Sequence, residues 1–203
     1  SGIEISKDNY ASLYSTLNLN VNNVNKLKGL KQYAFELNEE IKNSLKKALI
    51  ILMNEMNYEN ISITLLCNKA GVSRTAFYNN FQTKNDLLKE IVIDLNTKLL
   101  IQVGSPYRKN TSYDWYVKFF FLVKENSNEL KLIFNAGFIN KYLYMLNEMV
   151  LKDENIPIEK KYQRLIWSGG IANALVYWIN NNLKEDIYQM AEYCSTNLKP
   201  WSI

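Results

Sequence analysis

The residues best suited to chemistry in this sequence lie between Ile61 and Leu88, where two short helical patterns are joined by a tight turn. Ser62 precedes the first pattern and Ser73 precedes the second, in the position where a hydroxyl accepts a hydrogen bond from a free amide of the first helical turn. Gly71 lies between the two patterns, where a helix that reverses quickly needs a left-handed residue. The spacing therefore predicts a helix-turn-helix unit, which places one helix in the major groove of DNA.

The second helix of this unit has an aromatic side and a polar side. Phe77 and Phe81 are expected to anchor it to the core. Arginine suits guanine, asparagine suits adenine and a threonine can contact a thymine methyl group, whereas hydroxyls and lysine hold phosphates and set the register. We expect base contacts from Arg74 and Asn79, and a base or phosphate contact from Thr75. The complete set of predicted DNA-contacting residues is Ser62, Thr64, Ser73, Arg74, Thr75, Tyr78, Asn79 and Lys84.

A third helix is expected to begin directly after this unit. Thr83 and Asp86 have the spacing of a capping box, and Lys84 falls in the first turn, where free amides and the helix dipole favour a phosphate. Residues 60–89 carry a net charge of about +3, which would supply salt-dependent DNA affinity; the charged residues are Lys69, Arg74, Lys84, Lys89 and Asp86. The whole chain has a net charge of only +4, which disfavours a non-specific DNA-compacting protein.

The segment Ala-Gly-Val-Ser-Arg-Thr-Ala-Phe-Tyr-Asn-Asn-Phe-Gln-Thr-Lys-Asn-Asp-Leu-Leu, residues 70–88, resembles the recognition segment of the tetracycline-repressor (TetR) family of bacterial regulators. The close resemblance covers roughly residues 40–95. Two departures stand out: Leu65 replaces an acidic residue that is frequent in the family, and Asn79-Asn80 replace an aromatic or basic residue followed by His. The second departure leaves the base preference open.

The resemblance implies an all-α protein with an N-terminal three-helix helix-turn-helix domain and a C-terminal helical domain for effector binding and dimerisation. We place the DNA-binding domain at residues 37–83 and the C-terminal domain at residues 84–203, with a connecting helix over 84–101. Residues 1–36 form an N-terminal extension with helical apolar spacing and an Asn-rich link at 19–25. The extension either packs on the body or is an arm that contacts DNA or a partner.

Aromatic residues concentrate in the first half of the C-terminal domain. They either form plain core or line a pocket for a small-molecule effector, since such pockets are mostly apolar. The family resemblance implies a pocket in this region, and the effector's identity is open. The candidate pocket residues are Trp115, Phe119, Phe120, Phe134, Phe138, Tyr142 and Trp167.

The penultimate helix is expected over residues 158–182, and the last helix over 184–198. The apolar side chains of the penultimate helix recur every three or four residues. Small residues lie beside them, so another helix can approach closely. In the resembling family the last two helices form a four-helix bundle with a second subunit, which implies a homodimer. The predicted dimer contacts are Trp167, Gly170, Ile171, Ala174, Leu175 and Trp178.

Composition argues against an enzyme. The chain has no His, the commonest general base and metal ligand, and its two Cys are far apart in sequence. We expect no cofactor and no metal. No apolar run approaches the length of a membrane span, so we expect a cytoplasmic protein without a membrane partner.

These observations predict a sequence-specific, double-stranded-DNA-binding regulator that recognises a palindromic operator as a homodimer. We expect a repressor that is released by a small-molecule effector. The alternative is a helical regulator of the same fold that acts through a protein or peptide partner, as a co-activator.

Overall fold

The computed structural model describes the backbone of residues 7–107, 112–152 and 155–198, and side chains from residue 25 onward except at 141–142, 145–146 and 149–150. Over these residues the chain forms α-helices and no strand, which confirms the predicted all-α class. The helices, α1 to α9 in chain order, are Lys7–Glu55, Ile63–Ala70, Arg74–Tyr78, Lys84–Val103, Tyr113–Glu125, Ser127–Asn135, Ile139–Leu151, Ile158–Asn180 and Ile187–Asn197. A 3₁₀ turn, Tyr58–Asn60, lies between α1 and α2.

Helix α1 is a single continuous helix, so the predicted link at residues 19–25 is wrong. The reason is local. Each asparagine costs a helix up to about 0.7 kcal/mol relative to alanine, whereas a proline costs about 3 kcal/mol and breaks the helix. No proline and only one glycine, Gly29, lie within the helix. Nothing in the Asn-rich segment therefore stops the helix.

The C-terminal part of α1 packs with α2, α3 and α4 to form the helix-turn-helix domain. The side chains that hold these helices together are completely buried, and they are Leu45, Leu49, Leu66, Phe77, Leu87 and Leu88. We call α5 to α9 the body. In the body, α5 packs chiefly on α9, and α7 packs on α8. Helix α4 contacts both α1 and α5, so it lies between the helix-turn-helix domain and the helices that follow it.

Several helix ends differ slightly from the predicted ones. Helix α4 continues to Val103 and ends at Gly104, whose φ of +80° favours glycine. Helix α8 ends at Asn180 rather than at 182, and α9 starts at Ile187 rather than at 184. The later start reflects a capping box, in which the Asp186 carboxylate accepts hydrogen bonds from the amides of the first turn.

Among the residues that the structure describes, no helix combines the length and apolar character needed to cross a lipid bilayer.

Candidate nucleic-acid interface

The turn between α2 and α3 is built by the three predicted residues. The Ser62 Oγ accepts a hydrogen bond from the Leu65 amide at 3.1 Å, which caps α2. Gly71 has a φ of +69°, and its amide donates to the carbonyl of Asn68 at the end of α2. The Ser73 Oγ accepts from the Ala76 amide at 3.1 Å, which caps α3. The predicted caps and the glycine corner are therefore confirmed.

Two phenylalanine side chains fix the short α3 in place. Phe77 is completely buried and its ring centroid lies 5.9 Å from that of Phe81, which is also buried. A five-residue helix has too few internal hydrogen bonds to be stable alone, so this packing determines its orientation. The side of α3 that is opposite Phe77 is consequently held toward solvent.

The exposed side of α3 carries the polar residues that the sequence predicted to contact DNA. Arg74, Thr75, Tyr78 and Asn79 are all exposed. The Arg74 guanidinium lies 6.0 Å from the centroid of the Tyr78 ring, within the range of a cation–π contact. Together these four residues present the planar donor fork of the arginine, the amide of the asparagine and the hydroxyls of the threonine and the tyrosine. Ser62 and Thr64 at the start of α2 are also exposed.

Lys84 is positioned differently from the expectation of a phosphate contact. Its ammonium donates hydrogen bonds to the carbonyl oxygens of Tyr58 at 2.5 Å and Ile61 at 2.8 Å. Burial lowers the pKa of Lys84, and the nearby charge of Glu59 opposes this shift. The capping box of Thr83 and Asp86 is present as predicted. The Lys84 side chain thus ties α4 to the turn before α2, and in this conformation two of its three N–H donors are engaged within the chain.

The charge on the surface of the domain is also smaller than the sequence count suggests. Lys69 forms an ion pair with Glu55 at 2.9 Å, and Glu55 lies just before residues 60–89 in the sequence. With Lys84 bonded inward, Arg74 and Lys89 are the remaining basic side chains of residues 60–89. Sequence distance hid this neutralisation, because Glu55 and Lys69 belong to different helices.

Two contacts of Tyr58 that sequence reasoning missed join the α1–α2 turn to α4 and to the residue that precedes α7. The Tyr58 hydroxyl donates to Asn85 Oδ1 at 2.7 Å, and the Tyr58 ring packs edge-on against Phe138 with centroids 6.3 Å apart. Burial raises the pKa of the Tyr58 hydroxyl well above its usual value. An aromatic residue in the turn after α1 is a sequence signal for such contacts. The partners of Tyr58 could not be identified from sequence, because they are 27 and 80 positions away.

Ion pairs connect α1 and α4 further from the turn. The Lys46 ammonium lies 2.7 Å from both Glu90 and Asp94. Burial by itself acts to lower the pKa of Lys46, but the hydrogen bonds and charges of the two carboxylates together outweigh it and raise the pKa. A shift of α4 would break these pairs, so α1 and α4 are expected to move together.

Most of the predicted effector-pocket residues form a tightly packed aromatic core in this structure. Trp115 stacks on Phe119 with centroids 5.0 Å apart, and it meets Trp167 edge-on at 6.0 Å. Phe120, Phe134 and Phe138 are also buried. The side chain of Tyr142 lies outside the described residues.

A buried hydrogen-bond chain runs through this core. Trp167 Nε1 donates to the Tyr116 hydroxyl at 2.8 Å, and that hydroxyl donates to the Leu198 carbonyl. Burial raises the pKa of Tyr116 to about 12, although the hydrogen bond from Trp167 opposes the shift. The chain of bonds links α8, α5 and the end of α9.

The described part of the chain has surface cavities elsewhere, and three of them are lined by none of the predicted pocket residues. One of about 620 Å³ lies between residues 53–60 and α6, with Leu132, Asn135 and Ala136 in its wall. A second of about 420 Å³ has an apolar floor of Ile50, Ile51, Ile91 and Leu95 between α1 and α4. The third, about 330 Å³, lies between α4, α5 and α9.

Four of the predicted dimer contacts face the interior of their own chain, which corrects the interpretation of the apolar stripe on α8. Those buried side chains are Trp167, Ile171, Leu175 and Trp178, with Ala174 partly buried beside them. Gly170 also packs within the chain, because a Cβ at this position would lie 2.5 Å from Leu198 Cδ2. Periodicity identified a buried stripe correctly but did not show which helices cover it.

The opposite face of α8 is exposed and carries large apolar side chains. Ile158, Tyr162, Ile166 and Tyr177 recur at helical spacing, and Ile166 is 70% exposed. Gly169 lies on the same face, with no atom within 4 Å of a Cβ placed there. Among the described residues this face of α8 is exposed, so it is available to another molecule.

The comparisons with known proteins agree with this geometry. Residues 47–91 match the family described as "Bacterial regulatory proteins, tetR family". The fold is similar to the crystal structure of a TetR transcriptional regulator from Streptococcus agalactiae 2603V, with a TM-score of 0.59 and 18% identity over 83% of this chain and 98% of that one. It is also similar to the dihydroxyacetone kinase operon activator DhaS, with a TM-score of 0.51 and 18% identity over 78% of this chain and 93% of that one.

No curated protein sequence matches the chain. The matched segment contains the whole helix-turn-helix unit, including both serine caps, the glycine corner and the exposed face of α3. Residues 47–91 are therefore similar to the helix-turn-helix domain of the tetR family of bacterial regulatory proteins, and the fold of the chain is similar to that of solved regulators with this domain.

Proposed function

We propose that the chain is a cytoplasmic, homodimeric regulator that recognises a palindromic operator through α3 and represses transcription until a small-molecule effector releases it. The observation that carries the proposal is the solvent-facing side of α3, on which Arg74, Thr75, Tyr78 and Asn79 are exposed above a completely buried Phe77. A helix that is anchored on one side and polar on the other fits the major groove.

The residues divide into base and phosphate contacts. Arg74 can donate two hydrogen bonds to a guanine, and Asn79 can pair with an adenine. Thr75 contacts a thymine methyl group or a phosphate, and Tyr78 and Thr64 contact phosphates. Ser62 and Ser73 use an oxygen lone pair for their caps, but each O–H still can donate to a phosphate. Lys84 supports this surface from behind through Tyr58 and Ile61.

Dimerisation is proposed through the exposed face of α8 together with α9. The exposed large apolar residues on this face of α8 are Ile158, Tyr162, Ile166 and Tyr177. A two-fold axis at this face would present two copies of α3 to successive major grooves, and the operator would then be palindromic.

Release by an effector requires that the ligand bind one conformation of the protein more tightly than the other. Helix α4 is the proposed mechanical link, because it is bonded to the turn before α2 through Lys84 and to α1 through Glu90 and Asp94. The aromatic core around Trp115 is closed in this structure, so an effector that binds there must displace stacked rings. A movement of the body would reach α3 along this path.

A second candidate function is activation, either directly or through a protein partner. The similar fold of the dihydroxyacetone kinase operon activator DhaS favours it, since the same helical architecture serves an activator there. Run-off transcription from the cognate promoter distinguishes the two signs: added protein lowers the transcript yield for a repressor and raises it for an activator.

The DNA-binding proposal is tested by fluorescence anisotropy with duplexes that tile the promoter region of the chain's own gene. We expect one duplex to bind at least about a thousandfold more tightly than a scrambled duplex at the same salt concentration. Equal affinity for all duplexes would contradict sequence-specific recognition. Absence of binding by the protein alone would favour the partner-dependent alternative.

A further inference from the structure

The face of α1 that enters the core of the helix-turn-helix domain continues beyond that domain with no cover from the described part of the chain. Leu45, Ala48 and Leu52 on this face are buried. The same face carries Leu27, Leu30, Ala34 and Leu37 further toward the N-terminus, and all four are exposed, with Leu27 and Leu30 each 57% exposed. An apolar stripe of this length on one helix face is a typical contact surface.

The spacing of these residues is that of a short coiled coil. Leu27, Leu30, Ala34 and Leu37 are separated by three, four and three residues, the intervals of the a and d positions of a heptad. A wider stripe would suit a globular core, whereas strict a and d spacing suits one facing helix. We call residues 26–40 the arm. We propose that the arm pairs with the arm of a second copy of this chain in an antiparallel coiled coil.

The antiparallel arrangement gives complementary layers. It places Leu27 opposite the partner's Leu37 and Leu30 opposite the partner's Ala34, so that a large side chain meets a small one near the two-fold axis. Tyr33, which is 66% exposed, lies at the edge of the stripe and meets its own symmetry mate. The surface is therefore self-complementary, as a two-fold contact requires.

Charge decides between antiparallel and parallel pairing. In the antiparallel coil, flanking g positions face each other, so Lys26 lies beside the partner's Glu40 and this attraction occurs twice. The cost is one Lys31 pair across the axis. In the parallel coil, Lys26 would lie beside the partner's Lys31, and this repulsion would occur twice without any attraction. Both Lys26 and Glu40 are exposed in the single chain.

The charge pair cannot form inside one chain. Lys26 and Glu40 are 14 residues apart on one helix, which corresponds to about 21 Å along the axis at 1.5 Å per residue. Any dependence of one charge on the other therefore reports a contact between chains.

Pairing of the arms would connect two helix-turn-helix domains directly, because α1 runs unbroken from the arm into the core of that domain. Two heptads form only a weak coil by themselves, but another contact between the same chains raises the effective concentration of the arms. This inference goes beyond the proposed function, and its test contains no DNA and no effector.

The first experiment is cross-linking of the full chain with a short bis-maleimide. Tyr33→Cys places a thiol beside its symmetry mate, and Gln32→Cys places one on the outer face of the arm as the matched control. Both native cysteines are buried, so the wild-type chain gives the background. We expect a covalent dimer from Tyr33→Cys, and loss of that dimer when Leu30→Glu is added. Equal cross-linking of Gln32→Cys and Tyr33→Cys would overturn the proposal.

The second experiment reverses the charges in the Tyr33→Cys background. Lys26→Glu alone and Glu40→Lys alone place like charges beside each other and are expected to reduce the covalent dimer. The double variant Lys26→Glu/Glu40→Lys is expected to restore it. Circular dichroism of each variant checks that the helix is intact. Failure of the double variant to restore cross-linking in a folded protein would overturn the antiparallel pairing.

Discussion

The ammonium of Lys84 lies 4.2 Å from the centroid of the Tyr58 ring, while it also donates a hydrogen bond to the Tyr58 carbonyl. A cation held by a carbonyl and an aromatic face in a partly buried site is a strong local contact. It fixes the first turn of α4 against the segment between α1 and α2. Helix α4, which leads to the body, is therefore held at its first turn by the segment that immediately precedes the helix-turn-helix unit.

Replacement of Lys84 by Met is expected to destabilise the protein by about 1–3 kcal/mol, because two partly buried carbonyls lose a charged donor. The salt dependence of DNA affinity is expected to stay unchanged, since the ammonium is engaged within the chain. Thermal unfolding and anisotropy titrations at several salt concentrations measure the two quantities. Lys89→Met, at an exposed position on the same helix, is the control. A smaller salt slope with unchanged stability would instead indicate a phosphate contact.

Replacement of Arg74 by Ala is expected to weaken binding to the cognate duplex by about 1–3 kcal/mol and to relax the preference at one base pair. Stability is expected to change little because the side chain is exposed. The measurement is anisotropy against duplexes that carry each single base change. Arg74→Lys keeps the charge without the planar fork and is expected to lose the preference as well. Equal losses on cognate and scrambled DNA would show that Arg74 contacts only the backbone.

Replacement of Ile166 by Glu is expected to convert the proposed dimer into a folded monomer, because it places a charge in an apolar contact. Ile101 on α4 is 78% exposed, so Ile101→Glu provides the same chemical change outside α8. Analytical ultracentrifugation at micromolar concentration measures the mass, and circular dichroism checks folding. If Ile166→Glu and Ile101→Glu sediment like the wild type, the exposed face of α8 is not the dimer contact.

Alkaline pH is expected to destabilise the protein through Cys194. Burial raises the pKa of this thiol from 9.0 to about 11, so the folded state retains the proton that the unfolded state releases. The corresponding stability is present in full below pH 9 and is lost as the pH rises through 11. The loss is of the order of 1–3 kcal/mol. Urea unfolding between pH 8 and 10.5 measures it.

The matched variant for this titration is Cys194→Ala. It is expected to be less stable at every pH, because a buried side chain is shortened, but its stability is expected to fall less steeply above pH 9. An unchanged slope in Cys194→Ala would assign the alkaline loss to other groups, such as Tyr116.

The sequence by itself determined the local structure of the helix-turn-helix unit. Ser62, Ser73 and the pair Thr83 and Asp86 cap helices through bonds to residues three positions away, and Gly71 takes a backbone angle that few other residues tolerate. Each of these depends on neighbours along the chain. The same locality made the buried stripe of α8 visible as a period in the sequence.

Only the tertiary structure decided which part of the molecule covers the apolar stripe of α8 and which groups the charged side chains contact. It placed Trp167 and Ile171 inside the chain, and it directed Lys84 toward Tyr58. The physical reason is that burial and electrostatic pairing depend on contacts between distant parts of the chain, whereas periodicity and capping depend on the nearest turn of helix.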